Sequence, residues 1–129
     1  MVRSRITMEA STVASVAANA VKKGDVLGTA RYAGVQAAKD AASLLPLGAS
    51  VSIRSARIEF ELGEDAIDLE VVVETADGSD AQMPAFSAAA AAALTIYDMC
   101  KSADRTMVIG PARLVVDAAV TDDARDSPA

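Results

Sequence analysis

The chain has no histidine and no tryptophan, one cysteine, and two each of tyrosine and phenylalanine in 129 residues. Without histidine it lacks the side chain that ordinarily exchanges protons near neutral pH and the commonest zinc ligand. The single thiol, Cys100, excludes an internal disulfide and fits a reducing compartment. Positive charge is also scarce. Twelve Lys and Arg stand against eighteen Asp and Glu, a formal charge of −6 that repels a phosphate backbone, so no nucleic acid is expected as a partner. No glycine-rich phosphate loop, metal-ligand cluster or Ser/His/Asp set is found, and the expectation is no metal and no cofactor. The longest apolar run, 85–97, is mostly alanine and shorter than the roughly 20 residues that cross a bilayer. No charged-then-apolar leader opens the residues. These absences together point to a cytoplasmic protein with no membrane partner.

What remains is 52% hydrophobic, with alanine supplying much of it. Alanine buries little apolar surface, so a core must draw on Val, Ile and Leu and on close backbone approach. Such a chain is expected to complete its core by oligomerising. The residues divide into one domain, 1–117, and an acidic tail, 118–129, whose composition reads as disordered.

Residues 3–8 alternate as a short strand. Thr7 or Ser11 is placed to cap a helix through Val13, Val16 and Ala17 that ends near Asn19. A longer helix is expected from Asp25 to Leu44, with Val26, Ala30, Ala33 and Ala37 on one face and Pro46 beyond its end. Ile58, Phe60 and Leu62 alternate with Arg57, Glu59 and Glu61. Val51 and Ile53 have the opposite parity, which predicts a bulge at 54–56. Gly63-Glu64-Asp65 turns the chain into a strand carrying Ile67, Leu69, Val71 and Val73. Pro84 suits the first turn of a helix that includes six consecutive alanines, 88–93. The last strand, 107–116, is interrupted at Gly110-Pro111 and is expected at an edge or bulged. Strand, helix pair, strand, strand, helix, strand is the order of a ferredoxin-like α+β fold, an antiparallel sheet with helices on one face.

Two groups of residues carry candidate chemistry. Lys22-Lys23-Gly24-Asp25 precedes a helix, where cations reinforce free N–H groups as an anion site, or are ordinary surface lysines. Asp98 and Lys101 are three residues apart on one helical face. They form a proton-transfer pair if desolvated, and a surface ion pair if not. Cys100 points away from both and reads as a buried structural thiol.

The segments KKGDVLGTARYAGVQAAKDAASLLPL (22–47) and AALTIYDMCKSADRTMVIGPARL (92–114) resemble the cyclic pyranopterin monophosphate synthase family, also called molybdenum cofactor biosynthesis protein C. The resemblance covers most of 5–116, and YDMCK followed by MVIGP is its most specific part. It implies a ferredoxin-like fold, a hexamer built as a trimer of dimers with sites at the dimer interface, and a lyase. That reaction converts a cyclic dihydro-GTP derivative to cyclic pyranopterin monophosphate and pyrophosphate. By motif match Asp98 is the catalytic aspartate, Lys101 the lysine one turn on, and Lys23 the lysine of the K-G-D motif. Leu47 and Met83 match substrate-lining positions. The implied partners are a GTP-derived small molecule or related anion and further copies of the chain, or a complete paralogue in a mixed oligomer. The chain also departs from the family. P-L-C-H-P is here Pro46-Leu47-Gly48-Ala49-Ser50, E-M-E-A is Gln82-Met83-Pro84-Ala85, and a Gly/Lys/Ser-rich C-terminal loop is replaced by VDAAVTDDARD. Losing one general acid or base costs about a hundred- to ten-thousand-fold. An active site this altered implies impaired or lost turnover, or a non-catalytic role as a structural or regulatory paralogue.

Overall fold

The computed structural model describes residues 1–48 and 50–116. Strand β1 (Val2–Thr7) leads into helix α1 (Ala10–Ala17), then α2 (Val26–Lys39) and the single turn α3 (Ala41–Leu44). Strands β2 (Ile53–Leu62) and β3 (Ala66–Thr75) form a hairpin, followed by α4 (Gln82–Cys100) and β4 (Val108–Leu114). The sheet order is β2-β3-β1-β4 and every pairing is antiparallel. This is the α+β architecture expected from the sequence. The tail 118–129 and Ala49 lie outside the described residues.

Alternation decides which face of the sheet is dry. In β1, Val2, Ser4 and Ile6 point inward while Arg3 and Arg5 are exposed. Across the ladder Val2 stands opposite Val71 and Ile6 opposite Ile67, and Ile58 stands opposite Val71, so these inner rungs are apolar, with the buried Ser4 between them opposite Leu69. The register of β2 against β3 shifts between Ile53 and Ser55, where the reversed parity placed a bulge. At the opposite edge, β4 slips against β1 between Ser4 and Ile6, at the Gly110–Pro111 peptide, which is cis.

Helix α4 supplies the second layer. Ala85, Ala88, Ala89, Ala92, Ala93, Ile96, Met99 and Cys100 recur at helical spacing and are all buried. Its length and mean hydropathy are those of a membrane-crossing helix, unlike the shorter run expected from sequence, but 56% of that stretch is buried inside the protein. Helix α2 packs beside it through Val26, Ala30, Gly34 and Ala38. The buried stripe therefore moves one residue past the expected Ala33 and Ala37, which are half-buried. The reason is Gly34: a Cβ there would collide with Ile58 Cδ1 and lie 3.1 Å from the Ala88 carbonyl oxygen. The missing side chain lets the two helix backbones and β2 meet. The single helix expected from 25 to 44 is broken at Asp40, where φ −102° and ψ 15° leave the helical region before α3 resumes.

The start of α1 also differs from expectation. Glu9 occupies the cap position and makes no side-chain cap bond, and neither Thr7 nor Ser11 caps it. The capping carboxylate comes from Asp104, 95 residues away in sequence, which accepts from the Glu9 N–H at 2.8 Å and the Thr12 hydroxyl at 2.8 Å. Its other oxygen accepts from the Thr106 N–H at 2.8 Å and hydroxyl at 2.6 Å. Asp104 is 1% exposed. Burial pushes its pKa up, but the four hydrogen bonds outweigh that and hold the carboxyl far below the ordinary aspartate range.

Candidate active site

Two helix ends meet on one side of the molecule. Gly24, at φ +120°, occupies a backbone conformation open to glycine, and its N–H closes a turn on the Val21 carbonyl at 3.0 Å. Asp25 then caps α2, accepting from the Gly28 N–H at 3.0 Å. This turn aims Lys23 at the last turn of α4. Lys23 Nζ donates to the backbone carbonyl of Asp98 at 3.2 Å, bridging 75 residues of sequence. Lys101 Nζ lies 2.8 Å from Asp98 Oδ1. Asp98, Lys101 and Lys23 thus share one end of the helix layer.

The electrostatics follow from that geometry. The Lys101 hydrogen bond, then its charge, then the charge of Lys23 hold the Asp98 carboxyl below its ordinary range. Asp98 is therefore an anion at neutral pH and a poor proton acceptor while Lys101 stays on it. The Asp98 and Lys101 side chains are 64% and 47% exposed, so in one isolated chain they form a solvated ion pair. Both lysines also suit this position for a local reason: the carboxyl end of α4 carries partial negative charge, which a cation offsets. The start of α2 is less open to anions than the lysine pair implies, because the Asp25 carboxylate already occupies it.

Leu47 and Met83 are elsewhere. Met83 opens α4 and Asp98 nearly closes it; fifteen residues of α-helix separate them by about 22 Å. Leu47 follows α3, beyond the end of α2 that lies away from Lys23, and is fully exposed. Met83 is 44% exposed. One chain therefore brings three of the five candidates together and leaves two apart. Of the substituted neighbours, Gln82 is exposed and Pro84 is buried in the first turn of α4. Cys100 is 2% exposed, and burial followed by the nearby Asp104 charge pushes its thiol up, which makes it an inert packing group.

Asp104 is the residue that sequence reasoning missed. It does not touch Asp98 or Lys101, but it ties the loop just after α4 to the start of α1 and so fixes the end of the helix on which both sit. Its signal was the Asp104-Arg105-Thr106 spacing, in which a carboxylate accepts from the N–H and hydroxyl two residues on.

Comparison with known proteins bears on the same residues. A family model described as the MoaC family matches residues 1–118. The cyclic pyranopterin monophosphate synthase of Desulfitobacterium hafniense is 38% identical over 114 residues, covering 88% of this chain and 70% of that protein. That of Geobacter sulfurreducens is 40% identical over 112 residues, covering 85% and 70%. A molybdenum cofactor biosynthesis bifunctional protein of Chlorobaculum tepidum is 43% identical over 110 residues, 85% of this chain but only 35% of that larger protein. With the family model spanning both helix ends and the whole sheet, the chain belongs to the MoaC family.

Proposed function

We propose that this chain binds the GTP-derived substrate of cyclic pyranopterin monophosphate synthases and turns it over far more slowly than a complete synthase. The observation that carries the reading is the convergence of Lys23, Asp98 and Lys101, drawn together from opposite ends of the sequence without any packing requirement on their exposed side chains. Two ammonium groups lie at Asp98, Lys101 on its carboxylate and Lys23 on its backbone carbonyl, and either can turn to a bound anion. A phosphate that takes Lys101 from Asp98 leaves the carboxylate beside an anion, and its pKa rises toward a range where it can hold and pass a proton. Substrate binding itself would then prepare the acid–base group.

The distance between this cluster and Leu47 and Met83 supports a site shared by two copies of the chain, as in the oligomer, a hexamer, implied by the sequence resemblance. Burial under a second copy would also desolvate the Asp98–Lys101 pair. Reduced turnover follows from the second half of such a site. The positions around Leu47 and Met83 hold Gly48, Ala49, Gln82 and Pro84, none of which carries an ionisable group. The setting proposed is the cytoplasm. Those same substitutions favour a second reading, a non-catalytic paralogue that binds the ligand or co-assembles with a complete synthase.

Calorimetric titration of the purified protein with the cyclic dihydro-GTP derivative, in buffers of different ionisation enthalpy, tests the first reading. Binding with proton uptake is expected, together with slow pyrophosphate release. Lys101→Ala should weaken binding about tenfold or more, the loss of a charge-assisted contact to phosphate. Absence of binding by the intact protein overturns the proposal. Binding with no pyrophosphate at high protein concentration selects the paralogue.

A further inference from the structure

Asp98 and Lys101 sit at the end of α4, where a helix has least support. The final four carbonyls of a helix have no intrahelical donor, and last turns open at little cost in free energy. The Asp98–Lys101 pair depends on that turn, because residues three apart meet only where the backbone stays helical. Both side chains are exposed, so packing fixes neither. In this chain the end is nevertheless closed. Lys101 keeps helical angles, φ −63° and ψ −24°. The Cys100 carbonyl accepts from the Ala103 N–H at 3.0 Å and from the Asp104 N–H at 3.1 Å. Only residues 101–103 therefore separate two buried anchors, Cys100 and Asp104. The core holds Cys100, whereas Asp104 is held by its hydrogen bonds. Those to Glu9 and Thr12 reach the start of α1, so they fix the loop against the body of the domain.

We propose that Asp104 is a positioning residue for the Asp98–Lys101 pair: by tying the loop after α4 to the start of α1, it keeps the last helical turn closed and Lys101 within reach of Asp98. That the pair serves a bound anion rests on the function proposed above; the placement of Lys101 does not. Asp104 acts through the backbone between them, with no contact to either side chain. A purely structural role for Asp104 predicts lower stability and an unchanged Asp98 in the molecules that remain folded. Positioning predicts a change at Asp98 itself, with a distinctive sign. Asp104→Asn removes a negative charge, which alone favours the ionised form of Asp98 and lowers its pKa. Release of Lys101 does the opposite. It withdraws the hydrogen bond and the charge that hold the Asp98 carboxyl down, leaving only the weaker influence of Lys23, and the pKa rises.

Titration of the aspartate carboxyl carbons by NMR tests it on the intact, ligand-free chain, with circular dichroism verifying the fold of each variant. Lys101→Ala sets the value that Asp98 reaches with no lysine on its carboxylate. Asp104→Asn is expected to move Asp98 upward by about half or more of that difference. Val71→Ala removes buried side chain between Val2 and Ile58, away from the helix end, and costs stability without touching the clamp. In that variant Asp98 is expected to keep its natural value. Thr12→Val removes one donor from the Asp104 carboxylate and should move Asp98 upward by a smaller amount. If Asp104→Asn does not fold, Thr12→Val decides. An Asp98 that stays in place or moves down in the deciding variant, or that moves as far in Val71→Ala, would overturn the proposal. No ligand enters these titrations, so failure to bind the GTP-derived substrate would sink the proposed function and not the role of Asp104.

Discussion

Replacing Asp104 with alanine should be among the most damaging single changes available to this fold. The substitution removes four hydrogen bonds to one buried carboxylate, two from backbone N–H groups and two from hydroxyls. The hydroxyls can turn toward other partners, whereas the Glu9 and Thr106 N–H groups cannot. Each hydrogen bond to a charged group is worth about 1.5–3 kcal/mol and an orphaned donor costs about 1–3 kcal/mol. These do not add fully, and a loss of about 3–5 kcal/mol is expected. That is a large share of the roughly 5–15 kcal/mol by which a domain is stable. Asp104→Asn keeps one acceptor oxygen and faces the other side with an amide donor, so about half that loss is expected. The pH dependence gives a second signature. The folded pKa is depressed below the value near 3.9 of an unfolded aspartate. Its contribution is therefore complete above about pH 4 and is lost as pH falls below that. Urea unfolding followed by circular dichroism at pH 7 and pH 3 measures both effects. The gap between the natural chain and Asp104→Asn should narrow at the lower pH. A loss under about 1 kcal/mol for Asp104→Ala at pH 7, with unchanged slope in urea, would refute the account of this carboxylate as the clamp between the two chain segments.

Two further outcomes follow from the packing. Gly34→Ala gains up to about 1 kcal/mol in helix propensity, but its methyl must displace Ile58 and push α2 from the Ala88 carbonyl; a net loss of about 1–2 kcal/mol in urea unfolding is expected. Cys100 is expected to react with a thiol-specific disulfide reagent only slowly in the folded protein and fully in denaturant, and rapid labelling of the native chain would contradict its burial and raised pKa.

Much of the fold was legible because it rests on period and punctuation. The period-two runs in β2 and β3, the parity break before Ile58 and the Gly110–Pro111 interruption each state a local requirement that the structure keeps. What was not legible depends on contacts distant in sequence. The cap of α1 could not be found near α1, because its carboxylate belongs to the loop after α4. The one-residue shift of the buried face of α2 came from Gly34, whose value is the space it leaves for Ala88 and Ile58. The candidate site divides the same way. Asp98 and Lys101 are neighbours by helix geometry alone, while the arrival of Lys23 required the turn at Gly24 and the antiparallel packing of α2 on α4. Nothing local indicates that Leu47 and Met83 lie at the other end.

The segment Tyr97–Lys101 separates packing from chemistry within five residues. Met99 and Cys100 are buried and Tyr97 packs against the core, so the sheet and α2 dictate their apolar character. Asp98 and Lys101 face solvent, and many polar pairs would serve the helix surface there equally well. At the far end of α4 the balance is reversed: Pro84 is buried, and the Leu47 loop and Gln82 bear no charge. On the proposed reading, Lys23, Asp98 and Lys101 would hold the anion, and the uncharged positions Gly48, Gln82 and Pro84 would limit its turnover.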